Sequence, residues 1–560
     1  MTRSRWWPPA PRHAAAALLW SGALIAVLAA KPSSTQEPGW PSLLAPLLAI
    51  LLAVLTRQLF LSLFGALLLA AVARFGPVGA LPGGLRSYFL ETVRDASHLY
   101  IIGFTLTLLG MVQVIARAGG AAGIVSAFSR KLDGVRSAQL GTVGLGLLIF
   151  FDDYANAMLV GPTMRPVCDR LRISREKLAY LVDSTAAPVA GLTLLSTWVG
   201  YEAGVLGEVA QGLGLPDSGY ALLVQALPLR FYCVYALLFT ATIAVLDRDF
   251  GPMLRAERRA RRSGKLLRDG AAPLGGAKAQ PAEPSAGTPA RWVNAALPIG
   301  AVVVAMLIGL LLDGGGLAVI AKDPLAAFDF GFWQAVLRRS ENNVQVLFWS
   351  VVLGAALAVA LPLGQRVLRP SQALSAFRSG VSTGFFAVGV LLLAWGLAAA
   401  CKDLGTGTYL VGLLGPALPA ESVPLLTFLL ASAVSFAIGS SWGTMALLLP
   451  TAVPLAFALG GAPVMLLTMA SVLDGSIFGD HCSPISDTTV MSSIGASCDH
   501  LDHVATQLPY AVAAMVIALL FGYFPVVLGV PLPFAYALGA TATVLLITLI
   551  GRPSSAPVAT

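Results

Sequence analysis

Apolar runs of about 20 residues recur along the whole 560-residue chain, and they constrain the fold more than any other feature. A helix needs a run of that length to cross a hydrocarbon core about 30 Å thick. Charged residues make up 11% of the chain, whereas soluble domains carry about 25%. A water-soluble fold with 57% hydrophobic residues would leave large apolar patches exposed. The expected fold class is therefore an all-α polytopic membrane protein.

The net charge of +8 comes from basic residues grouped in short connections and in one long polar segment. Such grouping follows the positive-inside rule and is not the footprint of a nucleic-acid binder. Five scattered cysteines (Cys168, Cys233, Cys401, Cys482 and Cys498) give no disulfide framework.

Arg3, Arg5 and Arg12 precede an apolar run from Ala14 to Ala30. It reads either as a cleaved signal segment or as a retained first helix. Arg57 separates the runs 41–55 and 58–75 and places their connection inside, and 98–116 returns inward. The run 139–164 has basic residues at both ends (Arg130, Lys131 and Arg136; Arg165, Arg170 and Arg172) and Asp152-Asp153 in its middle. One crossing cannot put both ends on the cytoplasmic side. A re-entrant hairpin can, because Gln139 to Phe151 as helix spans roughly 20 Å. The run 178–198 then exits into a loop expected to hold Glu202, Glu208 and Asp217, and 220–246 returns.

The polar, Pro/Gly/Ala-rich residues 247–291 read as a flexible cytoplasmic linker. They divide the chain into an N-terminal segment (1–40), a first half (41–246) and a second half (292–560). In the second half 292–312, 344–364, 379–399, 461–478, 508–528 and 532–551 cross, and 401–421 is amphipathic. The run 423–460 has no charged residue and carries Gly439-Ser440-Ser441-Trp442-Gly443-Thr444 at its centre, which predicts a hairpin entered from outside. PTMRP at 162–166 matches PTAVP at 450–454, each downstream of such a breaker, and Pro188 in DSTAAPVAG matches Pro484 in GDHCSPISDTT. Two inverted repeats with re-entrant hairpins and broken helices follow, an arrangement that puts substrate and coupling ions at the midplane.

A carboxylate at mid-membrane costs roughly 2.5–3.5 kcal/mol, so Asp152 and Asp153 need a reason to be there. No lysine or arginine is expected within the apolar spans to pair with them. The stretch FGDHCSPISDTTVMSS at 478–493 combines helix breakers with many oxygens. Unwound backbone and carboxylates suit a hard cation such as sodium. Asp183, Asp474 and Glu202 are further candidates, whereas Asp169 and Asp499 fit solvated loops. His481, Cys482, Cys498, His500 and His503 have no standard zinc spacing. DHLDH at 499–503 reads as a cytoplasmic loop whose histidines suit pH sensing.

FGDHCSPISDTTVMSSIGASCDH, with FFDDYANAMLVGPTMRPVCD and DSTAAPVAGLTLLSTWVGYE, resembles the NhaC-type sodium/proton antiporter family over about residues 40–550. The resemblance implies an elevator-type transporter of the ion-transporter superfamily, with a scaffold and a mobile transport part. It implies substrate and ion binding at Asp152, Asp153, Asn156, Asp183, Ser184, Thr185, Ser440, Ser441, Thr444, Asp480, His481, Ser483, Asp487 and Thr488, with sodium at Asp152, Asp153, Asp480 and Asp487. The expected activity is exchange of cytoplasmic sodium for protons across the inner (plasma) membrane. The alternative is a sodium- or proton-coupled carrier of a small organic acid (malate or lactate) or an amino acid. Sodium, protons, a small organic anion, the bilayer and a second copy of the chain in a homodimer are the candidate partners. No cofactor is expected. Neither HExxH nor GxxxxGK[ST] occurs, which argues against a zinc protease and a nucleotide-driven pump.

Overall fold

The computed structural model describes residues 10–30, 39–56, 58–129, 132–273, 288–340, 342–414 and 418–554. Arg57, Arg130 and Lys131 lie outside the described residues, as do the ends of the 1–40 segment and residues 274–287 of the expected linker. The described chain is almost wholly helical. The exception is a two-residue antiparallel pairing of Arg248–Asp249 with Arg552–Pro553. Among the described residues eight helices are long and apolar enough to cross a membrane. A ninth is added if Gly219–Leu229 and Phe231–Leu246, bent by 48°, form one broken span.

The N-terminal segment contains α1 (Ala10–Ala29), and the first half contains α2 (Leu44–Thr56), α3 (Leu59–Gly84) and α4 (Ala96–Arg117), then α5 (Val135–Leu148), α6 (Asp153–Arg170) and α7 (Arg175–Asp183). It closes with α8 (Thr197–Leu213), α9 (Gly219–Ala226) and α10 (Phe231–Leu246). After α11 (Gly251–Ser263) come α12 (Val293–Asp313), α13 (Asn343–Gly364) and α14 (Pro370–Asp403). Then follow α15 (Ser422–Ile438), α16 (Ser441–Cys482, bent at Gly461), α17 (Asp487–Ala496), α18 (His500–Ile517) and α19 (Leu532–Ile550). Leu312 on α12, Trp349 on α13, Phe385 on α14 and Leu549 on α19 are all exposed. A lipid-facing surface looks like this, because apolar side chains lose nothing by facing hydrocarbon.

Two helical hairpins point into the interior. In the first, α5 and α6 meet at residues 149–152, and Arg170 at the end of α6 donates to the Leu132 carbonyl at 3.1 Å, closing its base. In the second, α15 and the first part of α16 meet at Gly439-Ser440, and Gly460 returns to lie against Ala420. The rest of α16 then runs alongside α15 in the same direction, with Thr427 against Ser471 at 2.8 Å and Ser483 donating to the Phe436 carbonyl at 2.8 Å. Each hairpin returns from an N-cap, Asp152 or Ser440, and Pro162 and Pro450 each stand ten residues after it.

Five expectations need correction. The run 178–198 is broken after Asp183 and holds one helical turn, Ala187–Ala190, before helix resumes at Thr197, and the predicted loop around Glu202 and Glu208 is helix α8 with Glu202 buried. Arg230 lies at the bend between α9 and α10 and is fully buried, so the apolar spans do contain a cation. The expected flexible linker is ordered over 247–273, where α11 buries Met253, Glu257 and Ala260. Residues 499–503 open helix α18 instead of forming a loop, and His503 is fully buried. Asp169 lies within α6 and pairs with Arg175 at 2.8 Å, while Asp499 is 7% exposed and caps α18.

Candidate functional site

The two hairpin tips meet the two helix breaks at the centre of the molecule. The backbone at Gly439 is left-handed (φ 73°), and a side chain there would collide with the Ile485 backbone, so only glycine lets this tip seat on the break at 483–486. A side chain at Gly146 would likewise strike Thr185, and its absence lets α5 close on the break after α7. Asn156 fixes that junction by donating to the carbonyls of Gly146 (2.9 Å) and Thr185 (2.7 Å).

Asp152 caps α6, its Oδ1 accepting from the Ala155 amide at 2.6 Å, with Thr197 beside it. Asp153 is 3% exposed, and its Oδ1 is buried with no hydrogen-bond partner. The charges of Asp152, Asp487 and Asp480 all bear on it. Asp480 is braced by Ser486 (2.7 Å) and Ser441 (3.2 Å), which donate to its two oxygens. Tyr154 donates to Asp487. Ser440 caps α16 by accepting from the Gly443 amide, and Thr444 donates back to the Ser440 carbonyl at 2.9 Å. Thr488 shares a hydroxyl contact with Ser486 at 2.8 Å.

A second layer lies beneath. Asp183 accepts from Gln507 (2.7 Å) and Ser492 (3.2 Å), with the His503 ring 3.8 Å away. His481 bridges Ser184 (3.0 Å) and Tyr232 (2.8 Å), and its carbonyl takes a hydrogen bond from Gln507. All fourteen residues implied by the family resemblance therefore lie at the hairpin tips and helix breaks or against them, whereas the further candidates Asp474 and Glu202 lie apart, beside Arg230. Tyr154, Thr197, Tyr232, Ser492 and Gln507 were not singled out. Tyr154 was the one within reach, because it follows Asp152-Asp153 directly at the head of a helix.

No basic side chain joins the acid cluster at hydrogen-bonding distance among the described residues. Nor do three His, Cys, Asp or Glu side chains there form a metal-holding group. A cation at this place would be held by carboxylates together with hydroxyl and carbonyl oxygens. Asp487 is exposed to an open cavity of about 850 Å³ whose walls include Phe60, Phe64, Phe89, Phe386 and Ser440.

With this geometry in place, the likeness to known proteins is decisive. The family model described as the Na+/H+ antiporter family matches residues 189–526, more than half of the chain. The chain belongs to the Na+/H+ antiporter family. The member is a multi-pass membrane protein and a secondary transporter. An uncharacterized protein of Haemophilus influenzae is 30% identical over 87% of this chain and 90% of its own. A malate-2H(+)/Na(+)-lactate antiporter of Bacillus subtilis is 32% identical over 31% of this chain and 36% of its own. The solved YdaH transporter of Alcanivorax borkumensis shares the fold, with a TM-score of 0.51 and 13% identity over 82% of this chain and 90% of that one.

Proposed function

We propose that this antiporter-family member exchanges sodium for protons across the inner membrane, with both competing for Asp152, Asp153, Asp480 and Asp487. The observation that carries the reading is the buried, unpartnered oxygen of Asp153, surrounded by acids and by no cation. Burial and neighbouring acids both favour the protonated form of a carboxylic acid in general. A bound cation favours the charged form, so occupancy by one ion excludes the other. The proton is then shared by the cluster as a whole.

Thr444, Ser483 and Thr488 would complete the oxygen shell, Ser440 and Ser441 would shape the second tip and brace Asp480, and Asn156, Asp183, Ser184, Thr185 and His481 would hold the two breaks in register. The halves 41–246 and 292–560 would act as inverted repeats, with re-entrant hairpins carried by an elevator-type movement. The matching hairpins, with prolines ten residues past each N-cap, support that reading.

A second reading, coupled carriage of a small organic acid, is favoured by the cavity at Asp487, which is larger than a bare ion needs. The Bacillus relative, by its name a malate-2H(+)/Na(+)-lactate antiporter, is of that kind. Vesicles containing purified protein decide between the two. Sodium-driven proton movement without any organic acid, abolished by Asp153→Asn, supports exchange. Movement that requires malate or lactate supports the carrier.

A further inference from the structure

A second buried group of charges lies beside the acid cluster and has no part in the mechanism above. Arg230, Glu202 and Asp474 are each 1% exposed or less. Asp474 on α16 is fully engaged, accepting from Arg230 Nε (2.9 Å), the Tyr232 amide (2.6 Å) and the Tyr523 hydroxyl (2.8 Å). Glu202 on α8 is not. Its Oε1 stands 3.5 Å from Arg230 Nη1, and neither atom makes a hydrogen bond.

The charge count follows from these contacts. One guanidinium is offset by one carboxylate, and Asp474 holds that place with three donors. Glu202 as an anion would be one uncompensated charge in a fully buried site, which is strongly unfavourable. Among the described residues no cation but Arg230 bears on it. Cys233 contacts Arg230 at 3.9 Å, and Tyr201 donates to the Trp442 carbonyl. The charges that bear on Glu202 are those of Arg230 and Asp474. His98 is taken by Glu208 at 2.8 Å, further along α8.

We propose that Glu202 is a second proton-carrying site, protonated while Arg230 is engaged by Asp474 and losing its proton when a cation fills the neighbouring acid cluster. Asp474 and Asp480 are six residues apart on α16, about 9 Å along the helix. A positive charge bound at Asp480 therefore favours a negative charge at Glu202. When the Glu202 O–H bond breaks, the proton leaves to water, and the carboxylate it leaves behind is offset by the arriving cation. The coupling rests on the cation-site reading above; the protonation of Glu202 does not.

Infrared spectra of the full-length protein in lipid test the protonation. Wild type should have the carbonyl stretch of a buried carboxylic acid at neutral pH. Glu202→Gln should remove one such band and Glu202→Asp should shift it, while Asp480→Asn should leave that band in place. If Glu202→Gln does not fold, Glu202→Asp and glutamate-specific carbon-13 labelling of wild type read the same group. Spectra unchanged by either variant, or a Glu202 band absent at neutral pH, would overturn the proposal. In vesicles Glu202→Gln should keep sodium flux and move one proton fewer per turnover. A lost band with an unchanged proton count would overturn the carrier role. Absence of any sodium flux in wild type would instead overturn the cation-site reading and leave the spectrum to stand alone.

Discussion

The two hairpins are built alike and tipped with different chemistry. Each enters the interior as a helix, breaks, and returns from an N-cap with prolines ten and fourteen residues later. The first tip presents two adjacent carboxylates, Asp152 and Asp153; the second presents two adjacent hydroxyls, Ser440 and Ser441. The hydroxyls are spent on local bonds, Ser440 capping its own helix and Ser441 bracing Asp480. Asp152 is likewise a cap, and Asp153 alone keeps a buried oxygen free. A shared scaffold thus supplies one tip that seeks a ligand and one that steadies the acid opposite it.

The largest expected difference is one of sidedness. If both hairpins are re-entrant and opposed, cysteines placed at exposed Asp133 and Arg172, at the base of the first, should label from one side of the membrane only. Cysteines at Glu421 and Ala462, at the base of the second, should label from the other side only. The five native cysteines are buried, so the background is low. Labelling of Asp133→Cys and Arg172→Cys from opposite sides would remove the hairpin model for the first half.

Chemistry at the tips comes next. Asp153→Asn keeps the size of the side chain and removes its charge. Losing one charged ligand, worth up to about 3 kcal/mol, corresponds to exchange reduced on the order of 100-fold. Asp152→Asn and Asp480→Asn should fall in the same range. Wild-type exchange in all three, with unchanged dependence on pH, would place the ion site elsewhere.

Much of this arrangement was legible in the sequence. Hairpins could be read from charges and breakers because a polar tip inside an apolar run has few other solutions. The site could be nominated because a carboxylate in that setting costs too much to be incidental. Three features were not legible, and for physical reasons. Glu202 and Glu208 lower local hydropathy enough to look like loop, although α8 buries the first and pairs the second with His98. Arg230 stood in plain view in the run 220–246, but only Asp474 on α16 reveals why it is tolerated there. Residues 247–273 have the composition of a linker, yet they are held by specific bonds. Glu257 accepts from the Ser174 amide (2.8 Å) and hydroxyl (2.7 Å), Arg259 pairs with Glu176, and Lys177 pairs with Asp249.

That clasp sharpens the comparison at the bases of the hairpins. It grips the start of α7, which carries Asp183 and the first break, whereas no charged clasp holds the second hairpin among the described residues. Burial pushes the Glu257 carboxyl above the usual range despite its bonds to Ser174 and Arg261. Glu257→Ala leaves the buried Ser174 amide without its acceptor, which costs about 1–3 kcal/mol in thermal unfolding assays. Replacing 274–287 with a Gly/Ser linker of equal length should leave stability and transport near wild type. A stability loss on replacing 274–287 as large as that of Glu257→Ala would mean that the whole 247–291 segment is structural.

The smallest effect separates the hydroxyl tip from the carboxylate tip. Ser441 donates to Asp480 at 3.2 Å, while the other Asp480 oxygen keeps its 2.7 Å bond from Ser486. Ser441→Ala removes one hydroxyl and leaves the carboxylate still braced, so the loss is that of a single hydrogen bond, about 1 kcal/mol, or roughly fivefold in apparent sodium affinity. Maximal rate should hold, since the charge that binds the ion is intact. The sign of any pH change is also fixed. A carboxylate that loses a donor is less stabilised in its charged form, so protons compete better and the pH profile of exchange should move towards alkaline values. Ser441→Thr should restore both. If Ser441→Ala instead abolished exchange as fully as Asp153→Asn, the hydroxyl itself would be a ligand, and the division of labour between the two tips would fail.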